Sequence, residues 1–249
     1  RDEPFQTEKF ASPGNALQFD FEGFVNMGEN LPYLGQQATV ELWLSPLSYV
    51  ENEEASVYIV GNEKRYTIMV LADGTIQLRL ARDENQWNTF NTHYPVKEGE
   101  WVHLAYTFDF DTVERHSIKA YINGNLFQEF KVSGINEILG DGNPGHFTVG
   151  SRLSSTDDPF FSASIDELRF WNSVRTVEQI RTSMADTLGP DIYGNEQSGL
   201  VGYWRFDKLE DLGISDNHGP IADGMDDVRD YSVNGNHGDL TEYGAGLTS

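Results

Sequence analysis

The chain has 249 residues, 40 of them Asp or Glu against 17 Lys or Arg, which gives a net charge of −23. A surface this acidic repels nucleic acid and anionic lipid headgroups and suits divalent cations or high-salt media. No cysteine is present, so structural disulfides and thiolate metal sites are excluded.

Residues 1–14 are polar, contain Pro4, Pro13 and Gly14, and read as a linker. Residues 15–249 read as one domain, because β sandwiches often reach this length undivided. From residue 15 the apolar period is two, as in strands. "ALQFDF" and "FVNMG" open the pattern. "ATVELWLSP" follows, with Val40, Leu42 and Leu44 on one face and Thr39, Glu41 and Trp43 on the other. "YTIMVLADGTIQLRLAR" reads as two strands joined at Asp73-Gly74, and "HSIKAYINGNLFQEFKV" as two joined at Asn123-Gly124; both dipeptides supply the positive φ of a tight hairpin turn. "WVHLAYTFDF", "HFTVGSR", "SIDELRFW" and "GLVGYWRFD" add further strands. Nothing approaches the roughly 18 consecutive apolar residues of a membrane helix, so no membrane insertion is expected.

One helix is predicted in "TVEQIRTSMADTLG". Thr176 caps it, Gln179 completes a capping box, and Val177, Ile180, Met184 and Leu188 keep helical spacing until Gly189. A single short helix in an all-β chain is expected to cover an edge or open end. Residues 207–229 are acidic and Gly-rich and read as a loop insertion.

Five stretches in order resemble the laminin-G-like and pentraxin-like branch of the concanavalin A-type jelly rolls. They are "ALQFDFEGFVNMG", "ATVELWLSP", "EGEWVHLAYTFD" with "KAYINGNL", "FTVGSRL…SIDELRFWNSVRTVEQI", and "GLVGYWRFD…DYSVNGNHG". The resemblance implies an all-β jelly-roll sandwich of two antiparallel sheets with one short helix. It does not fix a function, since that fold hosts lectins, adhesive modules, receptors and glycanases.

Asp166 and Glu167, side by side in "SIDELRFW", raise the question of catalysis. Retaining glycosidases need two carboxylates about 5 Å apart. Laminarinase-like relatives supply them as Glu-x-Asp-x-x-Glu on one strand, but here those outer positions are Ser164 and Arg169. Adjacent strand residues face opposite sides, so the two acids are not expected to work as a pair. By resemblance, many such jelly rolls hold a structural calcium between the first strand and this late one, and Asp20 and Asp166 match those positions. The alternative is that Asp20 caps a turn and Asp166 pairs with Arg169 or Arg152. The pentraxin resemblance also nominates a ligand-linked calcium, held by Asn62 and Glu63 of "VGNEKR" and by Asp157 and Asp158 of "SRLSSTDDPFFSAS". Solvated acidic loops are the plainer reading there.

"RDENQWNTFNTHYP" interleaves Trp87 and Phe90 with Asn88 and Asn91. Sugars stack an apolar C–H face on an aromatic ring while amides read their hydroxyls, so these four residues are the candidate ligand platform. Packing of Trp87 beneath a neighbouring loop is the alternative. "DYSVNGNHGDLT" partly imitates a calcium loop, but Thr241 stands where a bidentate acid is required, so it reads as a turn. His103 lies in a strand and reads as structural. The expectation is therefore a non-catalytic module of a larger secreted or cell-surface protein, binding a glycan or protein ligand at an extracellular surface with calcium as cofactor. A protein-interaction or spacer module carrying only a structural calcium, and a divergent glycoside hydrolase, are the alternatives.

Overall fold

A computed structural model describes residues 14–20, 23–29, 35–48, 56–62, 64–83, 86–111, 116–135, 138, 145–151, 162–189, 197–214, 227–241 and 245–248. Among them the strands in chain order are β1 (Ala16–Asp20), β2 (Phe24–Asn26), β3 (Gln37–Ser48), β4 (Ser56–Asn62), β5 (Tyr66–Leu71), β6 (Thr75–Asp83), β7 (Gln86–Pro95) and β8 (Val102–Asp109). They continue as β9 (Ser117–Ile122), β10 (Asn125–Lys131), β11 (Phe147–Val149), β12 (Ser162–Trp171), β13 (Leu200–Trp204), β14 (Asp227–Val228), β15 (Gly238–Thr241) and β16 (Ala245–Thr248). Helix α1 (Val177–Ser183) lies between β12 and β13.

The strands form two antiparallel sheets. Sheet 1 runs β10-β9-β8-β3-β12-β1-β16, with β13 also paired to β12; sheet 2 runs β14-β15-β2-β11-β4-β5-β6-β7. Alternation puts Val40, Leu42, Leu44, Leu104, Tyr106 and Phe108 of sheet 1 against Ile59, Ile68, Val70, Ile76, Leu78 and Phe147 of sheet 2 in one core. At its centre Phe147 meets Phe170 edge-on at 5.1 Å and Trp204 at 6.0 Å. The two-sheet sandwich expected from the alternation is the one observed.

The predicted hairpins differ in length. Asn123 and Gly124 both have positive φ, 48° and 71°, as a two-residue type I′ turn requires. The other hairpin has a three-residue loop after Leu71. Gly74 N donates to Leu71 O at 2.9 Å, and Gly74 alone takes the left-handed conformation, at 78°.

Helix α1 is shorter than its apolar spacing predicts and lies on the outer face of sheet 1 toward its β10 edge, where Arg181 bonds Gly124 and Asn125 of the β9–β10 hairpin. Thr176 and Gln179 form both bonds of the capping box, and Ile180 packs with Ala105 and Tyr121. The helix stops because tertiary donors take its carbonyls. Arg169 Nη1 donates to Ser183 O at 2.8 Å and Trp43 Nε1 to Met184 O at 2.6 Å. Beyond them Arg169 also holds Asp186 O, and Arg205 holds Leu188 O. Leu188 thereby leaves the helical stripe and packs beside Trp171, Leu200 and Tyr203.

The acidic segment 207–229 is closed at its base. Glu210 and Asp227 form a β-bridge, Arg229 grips Glu210 at 2.7 and 3.0 Å, and Leu212 N donates to Asp227. Of the expected linker only Gly14 lies among the described residues; the adjoining Asn15 is tied to Asp207 by bonds of 3.1 and 2.9 Å.

Candidate functional site

The strand carrying Asp166 and Glu167 corrects the expectation of opposed faces. Asp166 pairs with Trp43 and Arg169 with Glu41, so three steps on β12 match two on β3. Glu167 absorbs the extra residue with φ 51°, a bulge that shifts the alternation by one. Ile165 and Leu168 therefore both enter the core, and Asp166 and Glu167 both fall on the outer face.

That face is covered. Asp166 is 0% and Glu167 1% exposed, with Glu167 and its partner Arg169 beneath the end of α1 and the segment after it. Asp166 Oδ1 accepts the Glu167 amide at 2.8 Å. Glu167 Oε2 accepts from Arg169 and from the Tyr203 hydroxyl, and Leu188 N donates to that same hydroxyl at 2.9 Å. Glu41, also buried, accepts from Trp171 Nε1 at 2.9 Å and lies 3.8 Å from Arg169 and 3.9 Å from Arg175. Arg175 stacks on Trp171 at 3.7 Å and donates to Ser183 Oγ at 2.9 Å. Burial pushes the Glu167 carboxyl up, against the pull of Arg169 and Tyr203. Burial also works against the Arg169 charge, but Glu41 and Glu167 outweigh it. The chemistry of this cluster is fastening: Arg169 and Arg175 meet Glu41 and Glu167 while clamping the helix and the segment after it to sheet 1.

His103 belongs to the same cluster. Its Nε2 lies 3.6 Å from Glu41 Oε2, yet burial, reinforced by Arg169 and Arg175, lowers the imidazole to about 3, so the contact is not an ion pair. The unfolded chain takes up a proton near the ordinary value of about 6.5, whereas the folded protein does not. The contribution to stability is complete above about 6.5 and is lost as pH falls toward 3. Between pH 7.5 and 5 it amounts to about 2 kcal/mol. Urea unfolding at these two values should show a pH slope that His103→Gln reduces; equal slopes in the two proteins would contradict it.

Of the expected calcium positions, Asp20, Asn62 and Asp166 lie among the described residues. Asp20 stands opposite Ser162 on β12, four strand positions from Asp166. That is about 13 Å along the strand, whereas calcium ligands sit within about 2.6 Å of the ion. Asn62 braces a turn: its Nδ2 donates to Gly145 O, and its Oδ1 accepts from Lys64 N at 3.0 Å. No cluster of three or more His, Asp or Glu able to hold a metal occurs among the described residues. Asp157, Asp158 and Glu63 lie outside them, as does Arg152. Arg169 bonds to Glu167 and faces Glu41. The imitation calcium loop is a turn, as expected, because Asp230 accepts from Tyr203 N, Ser232 N, Ser232 Oγ and Asn236 N at 2.8–2.9 Å.

The four platform residues divide between two faces, because Trp87 and Phe90 are an odd number of residues apart. Asn88 pairs with Leu80 and Phe90 with Leu78, both core residues, and Phe90 meets Phe130 at 5.5 Å. Trp87 pairs with Ala81 and Asn91 with Gln77 on the outer face of sheet 2. Three cross-strand rows result there: Arg65, Ala81 and Trp87; Thr67, Arg79 and Thr89; Met69, Gln77 and Asn91. Toward the sheet centre Thr67 and Met69 are buried, whereas Gln77, Arg79, Trp87 and Asn91 are half-buried and Thr89 is exposed. Among the described residues of these three rows the face opens at its β6–β7 margin. Arg79 lies over the Trp87 ring at 5.1 Å, and Gln77 Nε2 donates to Asn91 Oδ1 at 3.0 Å. That bond leaves an amide oxygen and an amide nitrogen for a ligand. From Trp87 to Asn91 is about 13 Å along the strand, room for more than one sugar ring.

A laminin G family model, described as the concanavalin A-like lectin/glucanases superfamily, matches residues 23–181. The chain belongs to that superfamily. Among solved structures, this concanavalin A-like domain is similar to a candidate carbohydrate-binding protein from Bacteroides ovatus, with 17% identity and TM-score 0.67 over 96% of this chain. The domain spans 60% of that protein's length. It is also similar to a heptameric SAP-like pentraxin from Limulus polyphemus, with 16% identity and TM-score 0.50, over 70% of this chain and 82% of that one. A search of curated proteins returned no match. At these identities the structural likeness concerns the fold.

The buried cluster beneath α1 is what sequence reasoning missed. Its trace in the sequence is Glu41, Arg169 and Arg175 set among Trp43, Phe170 and Trp171, charges too closely bordered by large apolar side chains for an ordinary solvated face.

Proposed function

We propose that this domain is a non-catalytic carbohydrate-recognition module of a secreted or cell-surface protein, and that its ligand lies on the β6–β7 margin of sheet 2. The observation that carries this reading is the half-buried Trp87 sharing an accessible outer face with the Asn91–Gln77 amide pair. An indole offers a sugar its flat apolar surface, and bonded amides hold donors and acceptors at fixed spacing. The Bacteroides ovatus protein's description as carbohydrate-binding supports the same reading. Against catalysis stands the burial of Asp166, Glu167 and Glu41, each at most 1% exposed. Calcium is proposed as a cofactor held by the loops carrying Asn62, Glu63, Asp157 and Asp158, and stacking on Trp87 needs no ion.

The test is calorimetric titration of a panel of oligosaccharides against the native domain and Trp87→Ala. A stacking residue at the centre of a site contributes enough that its loss weakens binding by about tenfold or more, with the near-ultraviolet dichroism of the buried aromatics preserved. Equal affinities in the two proteins would remove Trp87 from the site. Absence of any glycan ligand, with a protein partner captured instead, would favour the protein-interaction alternative.

A further inference from the structure

The dipeptide Asn-Gly occurs twice in the chain, as Asn123-Gly124 and Asn234-Gly235, within the closely similar runs "INGN" and "VNGN". A glycine after asparagine leaves its amide nitrogen open to the side-chain carbonyl, because no Cβ shields it. Attack of that nitrogen on Asn Cγ closes a five-membered imide and expels ammonia; water then opens the ring at either carbonyl, leaving aspartate or isoaspartate. The fold treats the two sites differently. Asn123 is held left-handed at φ 48°. Its amide donates to His103 O and its Oδ1 accepts from His103 N, both at 2.8 Å. Gly124 is buried: a Cβ there would meet Met184 Sδ at 3.2 Å and Arg181 Cα at 3.3 Å, and Arg181 Nη2 donates to its carbonyl at 3.3 Å. Closing the imide at Asn123 requires parting the side chain from β8 and opening the hairpin against the helix.

Asn234 and Gly235 are both exposed. The Asn234 side chain is held by one bond, from its Nδ2 to Val201 O at 2.7 Å. The Gly235 amide has no hydrogen-bond partner among the described residues, and a Cβ on Gly235 would meet only the His237 ring among them, at 3.8 Å. We infer that Asn234 is a site of spontaneous deamidation and that its conversion loosens the 230–237 turn. The product carries a carboxylate where the amide donated, so an anion faces the Val201 carbonyl and the bond is lost. Isoaspartate also inserts a methylene into the main chain of a turn whose shape Asp230 fixes by bonds to Tyr203 N, Ser232 N, Ser232 Oγ and Asn236 N. The disturbance reaches the core through Asn236, whose carbonyl accepts from Trp204 Nε1 at 2.9 Å.

Peptide mapping by mass spectrometry tests the inference, following both asparagines over time in protein kept warm in mildly alkaline buffer, with the guanidinium-unfolded chain as reference. In the folded protein Asn234 should convert about tenfold or more faster than Asn123, since reaction at Asn123 must await a local opening of the hairpin. In the unfolded chain the two should convert at similar rates, because their neighbours in sequence are alike. Protein aged until Asn234 is converted, and fresh Asn234→Asp, should each unfold at a lower temperature than fresh native protein when followed by tryptophan fluorescence. Equal rates at the two sites in the folded protein, or a ratio that unfolding leaves unchanged, would overturn the assignment of the site. Aged protein with Asn234 converted and an unchanged melting temperature would overturn the loosening of the turn.

Discussion

Arg169→Ala should lower the unfolding free energy by about 3–5 kcal/mol and the melting temperature by roughly 10 °C. Arg169 is 1% exposed. It bonds to Glu167, lies 3.8 Å from Glu41 and donates to the carbonyls of Ser183 and Asp186. Truncation leaves two buried carboxylates without their principal counter-charge and frees the carbonyls that anchor the segment after α1. Removing one partner of a buried pair is costly because the other cannot regain water. Arg169→Met combined with Glu167→Gln should therefore recover part of the loss, since neither retains an unmatched charge. Urea unfolding of the three proteins measures this. A loss below about 1 kcal/mol for Arg169→Ala, the range of an exposed pair, would mean that the cluster does not fasten the helix.

Asp230→Ala should cost a similar amount, about 3–5 kcal/mol, because one buried carboxylate accepts four hydrogen bonds and each bond to a charged group is worth about 1.5–3 kcal/mol. Its oxygens hold Tyr203 N, Ser232 N, Ser232 Oγ and Asn236 N, and its own amide donates to His237 Nδ1 at 3.0 Å. The residue thus ties the 230–237 turn to β13. Beside it Trp204 Nε1 donates to Asn236 O at 2.9 Å, so loosening the turn also loosens a core tryptophan. Asp230→Asn should fall between the two, since the amide oxygen keeps accepting while the NH₂ faces former donors. Thermal unfolding followed by tryptophan fluorescence reads all three; an Ala variant as stable as the native domain would show that these bonds are replaced by water without cost.

The architecture was legible because alternation is a local property. Val40, Leu42 and Leu44 point one way and Glu41 and Trp43 the other whatever the rest of the chain does. The Asn123-Gly124 turn and the Thr176 capping box likewise depend on a few adjacent residues. What misled was any feature set by partners distant in sequence. The bulge at Glu167 arises where β12 meets β3, and no propensity in "SIDELRFW" announces it; once the phase shifts, a strict alternating reading places Glu167 on the wrong face. The early end of α1 is set by Trp43 and Arg169, from two strands. At the ligand margin, composition identified the stretch, but the strand period separates Trp87 and Asn91 from Asn88 and Phe90. Arg65 and Arg79 join the first pair only through the pairing of β5, β6 and β7.

The most direct test of the proposed site follows the indole N–H resonances of the five tryptophans while a bound oligosaccharide is titrated into isotope-labelled protein. Trp43, Trp171 and Trp204 are buried on the helix-covered side or in the core and serve as internal controls. The Trp87 resonance should shift saturably, with the calorimetric affinity, while those three stay in place. A ligand that saturates the protein and leaves Trp87 unmoved would contradict the account.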